Sequence, residues 1–311
     1  MELGTSVPHI GPMADPKVVT DFCRAADVAG FDGLWTADHV LVPKVIESKY
    51  TLRAKLAPYP FEELRVTMGM NLELNTTLAI AAAVTERVKL CTGIAVLPIR
   101  NPVLNARQLA SIDLYSGGRL VYGVGVGWMK EEADAMGMPW DHRGRRTDEH
   151  IALLRTVWTA EGETVEFHGE FYDLPPVDPR PTPVQRPIPI LIGGHSDPAL
   201  DRVARVGDGW IAAGMGVDRF RAAYDRLQAA CERHGRDIGE LVIVNGEHPD
   251  VLLDPAGPDL PGQVAHAVEG LRAHEALGVT HMKVSIRTQD PVALLEGIDL
   301  YGREVLPAYR G

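Results

Sequence analysis

Short apolar runs alternate with longer amphipathic segments along most of the chain. The short runs are rich in Val, Ile and Leu, as the buried strands of a parallel sheet usually are. The longer segments repeat apolar residues three or four positions apart, which is typical of helices with one buried face. The pattern predicts eight strands, at residues 3–7, 33–36, 88–97, 120–126, 188–192, 209–212, 241–245 and 281–286.

A helix is predicted after each strand, at residues 16–29, 76–86, 101–114, 148–160, 198–206, 218–234, 262–277 and 292–306. Strict strand–helix alternation without a break in composition favours an α/β fold with one closed barrel of parallel strands over two dinucleotide-binding halves. We therefore expect a (β/α)8 TIM barrel, formed by residues 1–311 as a single domain.

Two long segments interrupt the predicted alternation. Residues 41–75 follow the second strand, and residues 161–187, which are rich in proline, precede the fifth. Because the loops after the strands of such a barrel lie at its catalytic face, the first insertion is a candidate lid. A surface excursion is the competing interpretation for both.

The bulk properties exclude some functions. The chain of 311 residues carries a net charge of −11, which opposes non-specific binding to nucleic acid or to an anionic membrane. Its three cysteines, Cys23, Cys91 and Cys231, form no CxxC pair. This favours a reducing compartment and argues against a thiolate metal site. With no apolar run near the ~18 residues of a membrane span, and no apolar signal region, we expect a cytoplasmic location and no metal centre.

Asp38 and His39 directly follow the second predicted strand. Residues at that position lie in the mouth of a barrel, where active sites form. A neutral imidazole both donates and accepts hydrogen bonds near neutral pH, so His39 is a candidate proton acceptor or donor, and a nearby carboxylate would orient its ring. A structural histidine at a strand end is the competing interpretation.

Glycines soften several strand ends. Gly93 interrupts the third strand, where glycine marks a bulge, a ligand against the backbone or close packing. The segment Gly123-Val-Gly-Val-Gly127-Trp128 ends the fourth strand with three alternating glycines that permit a planar ring or a phosphate to approach. Trp128 occupies the position where a dinucleotide fingerprint requires its third glycine, so that motif is absent.

A second glycine cluster, Gly193-Gly194-His195-Ser196, joins the fifth strand to the next helix. Backbone N–H groups and a hydroxyl at a helix N-terminus make an anion site. Ser196 and the following Asp197 also suit an ordinary helix N-cap, and both interpretations stay open. Gly214-Met215-Gly216 ends the next strand. Two adjacent glycine exits on late strands are typical of the phosphate site of such barrels.

Taken in order, these motifs resemble the bacterial luciferase-like superfamily of flavin- and deazaflavin-dependent oxidoreductases, most closely its actinobacterial deazaflavin branch. The resemblance runs from about residue 3 to residue 215. The matching segments are Gly30-Phe-Asp-Gly-Leu-Trp35, Asp38-His39, residues 83–93, Arg100-Asn-Pro-Val103, residues 114–120, Gly123–Trp128, residues 162–176, Ile192-Gly-Gly194 and Gly207-Asp-Gly-Trp210.

The resemblance implies a barrel with an insertion, a homodimer, and coenzyme F420 or FMN as cofactor. It implies a non-proline cis peptide bond at Gly93–Ile94 or one bond away, against the cofactor ring. By the same resemblance His39 is the proton acceptor or donor beside the ring. The implied cofactor contacts are Asp38, Gly93, Ile94, Gly125, Val126, Gly127 and Trp128 at the ring, and Gly193, Gly194, His195, Ser196, Gly214 and Met215 at the phosphate.

The function expected from this resemblance is hydride transfer between F420 and a small organic substrate, such as an alcohol, an aldehyde or an activated double bond. The alternative is an FMN-dependent monooxygenase that uses reduced flavin and O2. A metal-dependent hydrolase is disfavoured, because the first strand ends in Pro8-His9 without a second nearby histidine. A flavin-binding relative without activity is the remaining alternative.

Overall fold

The computed structural model describes residues 1–48, 70–212, 215–246, 251, 253–255 and 257–311. Its strands are β1 Glu2–Ser6, β2 Gly33–Thr36, β3 Lys89–Thr92, β4 Ala95–Val96, β5 Leu120–Gly125, β6 Val165–His168, β7 Asp173–Val177, β8 Ile190–Gly193, β9 Gly209–Ile211, β10 Val242–Gly246 and β11 His281–Val284. Its helices are α1 Pro16–Ala29, α2 Leu74–Val84, α3 Pro102–Ser116, α4 Lys130–Ala135, α5 Arg143–Thr159, α6 Asp197–Val206, α7 Val217–Arg233, α8 Leu260–Glu275, α9 Pro291–Leu300 and α10 Leu306–Arg310.

The main sheet closes on itself. Its strands pair in parallel in the order β3-β2-β1-β11-β10-β9-β8-β5-β4, and β3 also pairs with β5 to complete the ring. Since β3 and β4 are successive parts of one barrel position, the ring has eight positions. The predicted (β/α)8 TIM barrel is therefore confirmed.

Two apolar layers result from the alternation of side chains along each strand. Leu34 and Leu90 belong to the large core between the strands and the surrounding helices. Their neighbours Trp35 and Cys91 belong to a separate cluster that they form with Leu191, Ile211 and Val244. The second cluster fills the inside of the barrel, so the centre of the ring is a packed core below its mouth.

The third predicted strand differs from a continuous run. After β3 the chain bends at Gly93 and Ile94, resumes as β4 and then turns in a short 3-10 helix at Leu97–Ile99. The Gly93–Ile94 peptide bond is cis, as expected from the resemblance. The bend therefore lies at a strand exit facing the mouth.

The structure describes the second insertion completely and the first only in part. Residues 161–187 contain the antiparallel hairpin of β6 and β7, which was not predicted because its prolines and polar residues hide the alternation. Residues 49–69 of the first insertion lie outside the described residues, so its interpretation as a lid stays a prediction. Within the described part of the chain, no helix is long and apolar enough to cross a membrane.

Candidate active site

The carboxyl ends of β2, β3, β5 and β8 meet at one face of the barrel and bring the predicted ring contacts together. His39, Gly93, Ile94, Trp128 and Gly193 are all half-buried there. Ile94 lies against Gly193, and His39 lies against Trp128. The prediction that these sequence-distant residues converge agrees with the fold, whereas their roles stay predictions.

Ile94 is the centre of this arrangement. A Cβ atom on Gly125 would lie 2.7 Å from Cδ1 of Ile94, and one on Gly193 would lie 2.6 Å from its Cγ2. A Cβ atom on Gly123 would lie 1.9 Å from the carbonyl oxygen of Thr92. These three glycines thus make room for the bend after β3, and the expected approach of a ring or a phosphate to them stays a prediction.

The neighbouring glycines also touch protein. Gly93 donates its N–H to the carbonyl oxygen of Thr36 at 2.7 Å, and a Cβ atom there would lie 3.1 Å from Cε3 of Trp35. Gly127 has a φ of 76°, which disfavours other residues, and follows the half-buried Val126. Close packing therefore explains why glycine is needed at several of these positions. As a result, the Ile94 side chain is packed against the backbone of neighbouring strands and remains partly exposed.

His39 is held in a defined position at the same face of the barrel. Its Nδ1 lies 3.1 Å from Oε2 of Glu132, and its side chain is 14% exposed. The ring of Trp128 meets the imidazole edge-on, with ring centroids 6.0 Å apart and an interplanar angle of 82°. The imidazole is thus fixed on one edge while part of it remains accessible.

Glu132, in the first turn of α4, is the carboxylate that contacts His39. Its side chain is 3% exposed, and its Oε1 accepts the N–H of Val40 at 2.6 Å. Burial acts to raise the pKa of this carboxyl, but the hydrogen bonds with His39 and with the backbone at Val40 and Leu41 hold the pKa below its ordinary value. Glu132 is therefore a carboxylate at neutral pH.

Sequence reasoning did not include Glu132 in the site. The contact joins residues 93 positions apart, so no local pattern reveals it. The available signal was its place in the first turn of the helix that follows β5, since the strand exits of a barrel converge.

Asp38, which the resemblance places at the cofactor ring, is held in a buried ion pair. Both of its oxygens bond to the guanidinium of Arg100, one of them at 2.9 Å, and Val96 donates its N–H at 2.7 Å. The side chain is 2% exposed. Asp38 thus ties the β2 exit to β4 and does not orient His39, while a contact with the cofactor stays a prediction. Arg100 is a further residue that sequence reasoning did not include in the site.

The predicted anion site lies at the N-terminus of α6. Gly194 adopts a φ of 115°, and its carbonyl accepts the indole N–H of Trp210 at 2.6 Å. Ser196 occupies the N-cap position, as one of the two interpretations predicted, but its exposed side chain makes no capping bond. Burial, then the charges of Arg219 and Arg226 on α7, lower the pKa of His195. Arg226 is paired with Asp197 at the start of α6, so Arg219 is the cation among these that is left to favour an anion near the helix N-terminus.

The other half of the predicted phosphate site is less complete. Gly214 lies outside the described residues. Met215 is buried, and the side-chain amide of Asn245 accepts its N–H at 3.0 Å and donates to its carbonyl at 2.9 Å. The backbone groups of Met215 are thus engaged within the protein, so a phosphate contact by this residue stays a prediction. Among the described residues, no group of three or more His, Cys, Asp or Glu is arranged to hold a metal ion.

Comparisons with known proteins identify the family. The model of the luciferase-like monooxygenase family matches residues 2–249, so the chain belongs to this family. An uncharacterized protein of Mycobacterium tuberculosis is 35% identical over 279 residues, which are 87% of this chain and 88% of that one.

Two further similarities concern proteins with described activities. An FMNH2-dependent dimethylsulfone monooxygenase of Pseudomonas putida is 38% identical over 196 residues, which are 60% of this chain and 53% of that one. The solved structure of an F420-dependent secondary alcohol dehydrogenase, in complex with an F420-acetone adduct, has a TM-score of 0.76 at 16% identity. It covers 100% of this chain and 99% of its own, and at this identity the similarity concerns the fold.

The chain is therefore a member of the luciferase-like oxidoreductase and monooxygenase superfamily, and its relative from Pseudomonas putida is named for the use of reduced FMN.

Proposed function

We propose that the protein transfers a hydride between coenzyme F420 and a small organic substrate, of the alcohol, aldehyde or activated double-bond class. The observation that carries this proposal is the imidazole of His39, which the buried Glu132 holds at the face of the barrel where the Gly93–Ile94 bend also lies. Redox chemistry at an alcohol or a carbonyl requires one proton for each hydride. A positioned histidine at the mouth provides such a proton site.

The residues of the mouth suit a flat cofactor with a phosphate. Ile94 suits an apolar contact with one face of a ring, because its side chain is half-buried and packs against Gly125 and Gly193. Ser196 and the N-terminus of α6, with Arg219 nearby, suit a phosphate. When bound, the deazaflavin supplies the hydride donor or acceptor, and the protein supplies position and a proton.

His39 accepts the hydroxyl proton when an alcohol is oxidised, and it returns a proton to oxygen when a carbonyl is reduced. Because Glu132 is ionised and buried, it stabilises the protonated imidazole in either direction. Trp128, which meets the imidazole edge-on, limits the space beside it and helps to exclude water.

An FMN-dependent monooxygenase is the second candidate. It is favoured by the 38% identity to the FMNH2-dependent dimethylsulfone monooxygenase, a higher identity than that to the F420-dependent alcohol dehydrogenase. The residues that suit the F420 ring and phosphate also suit FMN. The reaction, more than the binding residues, distinguishes the two functions.

The test compares two reactions under matched conditions. Oxidised F420 and a panel of alcohols are mixed with the protein without oxygen, and F420 reduction is followed by absorbance. Reduced FMN and organic sulfur or carbonyl compounds are mixed with oxygen, and oxygenated product is measured. Substrate-dependent F420 reduction supports the proposal. Oxygenation with FMN and no F420 turnover supports the alternative, and turnover in neither reaction contradicts both.

Two earlier expectations remain proposals, namely the homodimer implied by the resemblance and the cytoplasmic location expected from the composition. Size-exclusion chromatography with light scattering tests the first, and fractionation of the source cells tests the second.

A further inference from the structure

We propose that Glu132 is a positioning residue that fixes the tautomer of His39, holding the ring proton on Nδ1 and leaving Nε2 as the proton acceptor. The positioning role stands on the contacts of this chain alone. Its catalytic meaning rests on the proposed function, in which His39 exchanges a proton with substrate.

The two carboxylate oxygens of Glu132 have different hydrogen-bond partners. Oε1 accepts the backbone N–H of Val40 at 2.6 Å, with that of Leu41 at 3.4 Å, and Oε2 lies 3.1 Å from Nδ1 of His39. A carboxylate only accepts hydrogen bonds, so the Nδ1 that faces it must carry the proton. The neutral imidazole then has its lone pair on Nε2, on the opposite side of the ring from Glu132.

Among the described residues around His39, Glu132 is the group seen to bond to a ring nitrogen, so it is the group that orients the ring. Asp38, its neighbour in sequence, has both oxygens bonded to Arg100 and to the N–H of Val96. Trp128 meets the imidazole edge-on and restricts its rotation. Asn71 donates to the backbone carbonyl of His39, which fixes the chain there and not the ring. The carboxylate that determines the state of the ring therefore comes from α4.

This arrangement defines what each direction of the reaction requires. An Nε2 lone pair takes a hydroxyl proton directly, so alcohol oxidation begins from the neutral ring. Reduction of a carbonyl begins from the doubly protonated ring, whose positive charge the Glu132 carboxylate stabilises. A histidine with the opposite tautomer presents an N–H to the substrate oxygen and cannot accept its proton.

Glu132→Gln is a nearly isosteric test with a specific expected result. The glutamine has one oxygen, and the N–H of Val40 can only donate, so the oxygen turns to Val40. The amide NH2 group then faces Nδ1 of His39, which must become an acceptor. The ring proton moves to Nε2, and the variant inverts the tautomer.

The adjacent Glu131 is the matched control. Its Oε1 accepts the N–H groups of Glu47 at 2.7 Å and Ser48 at 2.9 Å. It lies on the same helix as Glu132, and both carboxylates bond to backbone N–H groups of residues 40–48. Glu131→Gln removes the same charge from α4 without altering the carboxylate that faces His39, so it is expected to keep the wild-type tautomer.

The primary measurement is 15N NMR of the imidazole nitrogens in the cofactor-free protein, labelled at histidine, with His39→Gln to assign the signal. We expect neutral His39 to be protonated on Nδ1 in the wild type and in Glu131→Gln, and on Nε2 in Glu132→Gln. Protonation on Nε2 in the wild type overturns the proposal by itself, even where a variant does not fold. An unchanged tautomer in a folded Glu132→Gln overturns it as well.

The second measurement is kinetic. In the proposed alcohol oxidation, Glu132→Gln is expected to lower kcat by about 10²-fold or more, with KM and cofactor Kd near the wild-type values. An inverted tautomer with unchanged kcat overturns the catalytic meaning. The expected NMR result in a protein that turns over no F420 supports the positioning role while the proposed function fails, so the two failures are distinguishable.

Discussion

Two sides of the barrel mouth differ in how their polar groups are satisfied. The proton side consists of His39, Glu132, Asp38 and Arg100, and its two carboxylates are 2–3% exposed and fully engaged by protein donors. The anion side consists of Gly193–Ser196, where Ser196 is exposed and its hydroxyl makes no capping bond. The proton side is preorganised by the protein, whereas the anion side leaves the exposed hydroxyl of Ser196 available to a ligand.

Because of this difference, substitutions on the two sides of the mouth are expected to have different effects. A substitution on the proton side is expected to disturb turnover or the stability of the barrel, because each group there already has a protein partner. A substitution on the anion side is expected to disturb cofactor affinity and to leave the fold intact.

His39→Ala is expected to give the largest effect. Loss of a positioned acid or base lowers turnover by about 10²–10⁴-fold, while cofactor affinity stays near the wild-type value. Steady-state kinetics and a cofactor titration measure the two quantities on one sample. The exposed His168, bonded to Asp173, provides the control variant His168→Ala, which should retain full turnover. Full activity of His39→Ala would remove His39 from the mechanism.

Asp38→Ala tests the stability of the proton side. It leaves the guanidinium of Arg100, whose side chain is 11% exposed, and the N–H of Val96 without their acceptor. Breaking a buried ion pair costs about 3–5 kcal/mol of the free energy of unfolding, as measured by denaturant titration. The exposed pair of Lys130 and Asp134 is the control, and Asp134→Ala should cost less than about 1 kcal/mol. Equal losses in the two variants would argue against a preorganised proton side.

His150, buried near Arg100, makes the same region sensitive to acid. Burial and then the charge of Arg100 lower the pKa of His150 from 6.5 to about 3. Because the folded pKa is the lower one, the unfolded chain takes up a proton first, and stability falls as the pH drops from 6.5 towards 3. At a pH of about 5 this group should remove about 2 kcal/mol from the free energy of unfolding.

The measurement is the difference in the free energy of unfolding between neutral and mildly acidic pH, compared between the wild type and His150→Gln. The variant should lose less stability than the wild type. His168→Gln, at an exposed position, should behave like the wild type. The same acid-induced loss in all three proteins would mean that His150 is not the sensitive group.

Ser196→Asp gives the smallest effect and sharpens the other half of the comparison. Aspartate is as good an N-cap as serine, so the fold should be kept, but its charge opposes a phosphate. We expect cofactor Kd to rise by about 10-fold. Ser196→Asn is the matched neutral control and should change Kd little. Parallel behaviour of the two variants would place the phosphate elsewhere.

The sequence was sufficient to predict the barrel because the information is local. Alternating apolar runs and helical periods indicate each strand and helix, and only one ring accommodates eight of each. The hairpin of β6 and β7 escaped prediction, because its alternation is interrupted by Pro175 and Pro176.

The candidate site was predictable only in part. His39 and Ile94 follow strands, so their place at the mouth follows from topology. The residues that contact His39 and Ile94 could not be predicted in this way. Glu132 and Arg100 reach the site across 93 and 62 positions, and the glycines at 125 and 193 are explained by a side chain from another strand. Such contacts depend on packing in three dimensions, which no local pattern encodes.

The most direct test of the central claim is a fluorescence titration of the protein with F420 and with FMN, side by side, in the wild type and in Trp128→Phe. We expect saturable one-to-one binding of at least one of the two cofactors, with quenching of tryptophan fluorescence that is reduced in the variant, because Trp128 borders the proposed ring position. Absence of saturable binding for both cofactors would contradict the claim that this mouth holds a flat redox group beside His39.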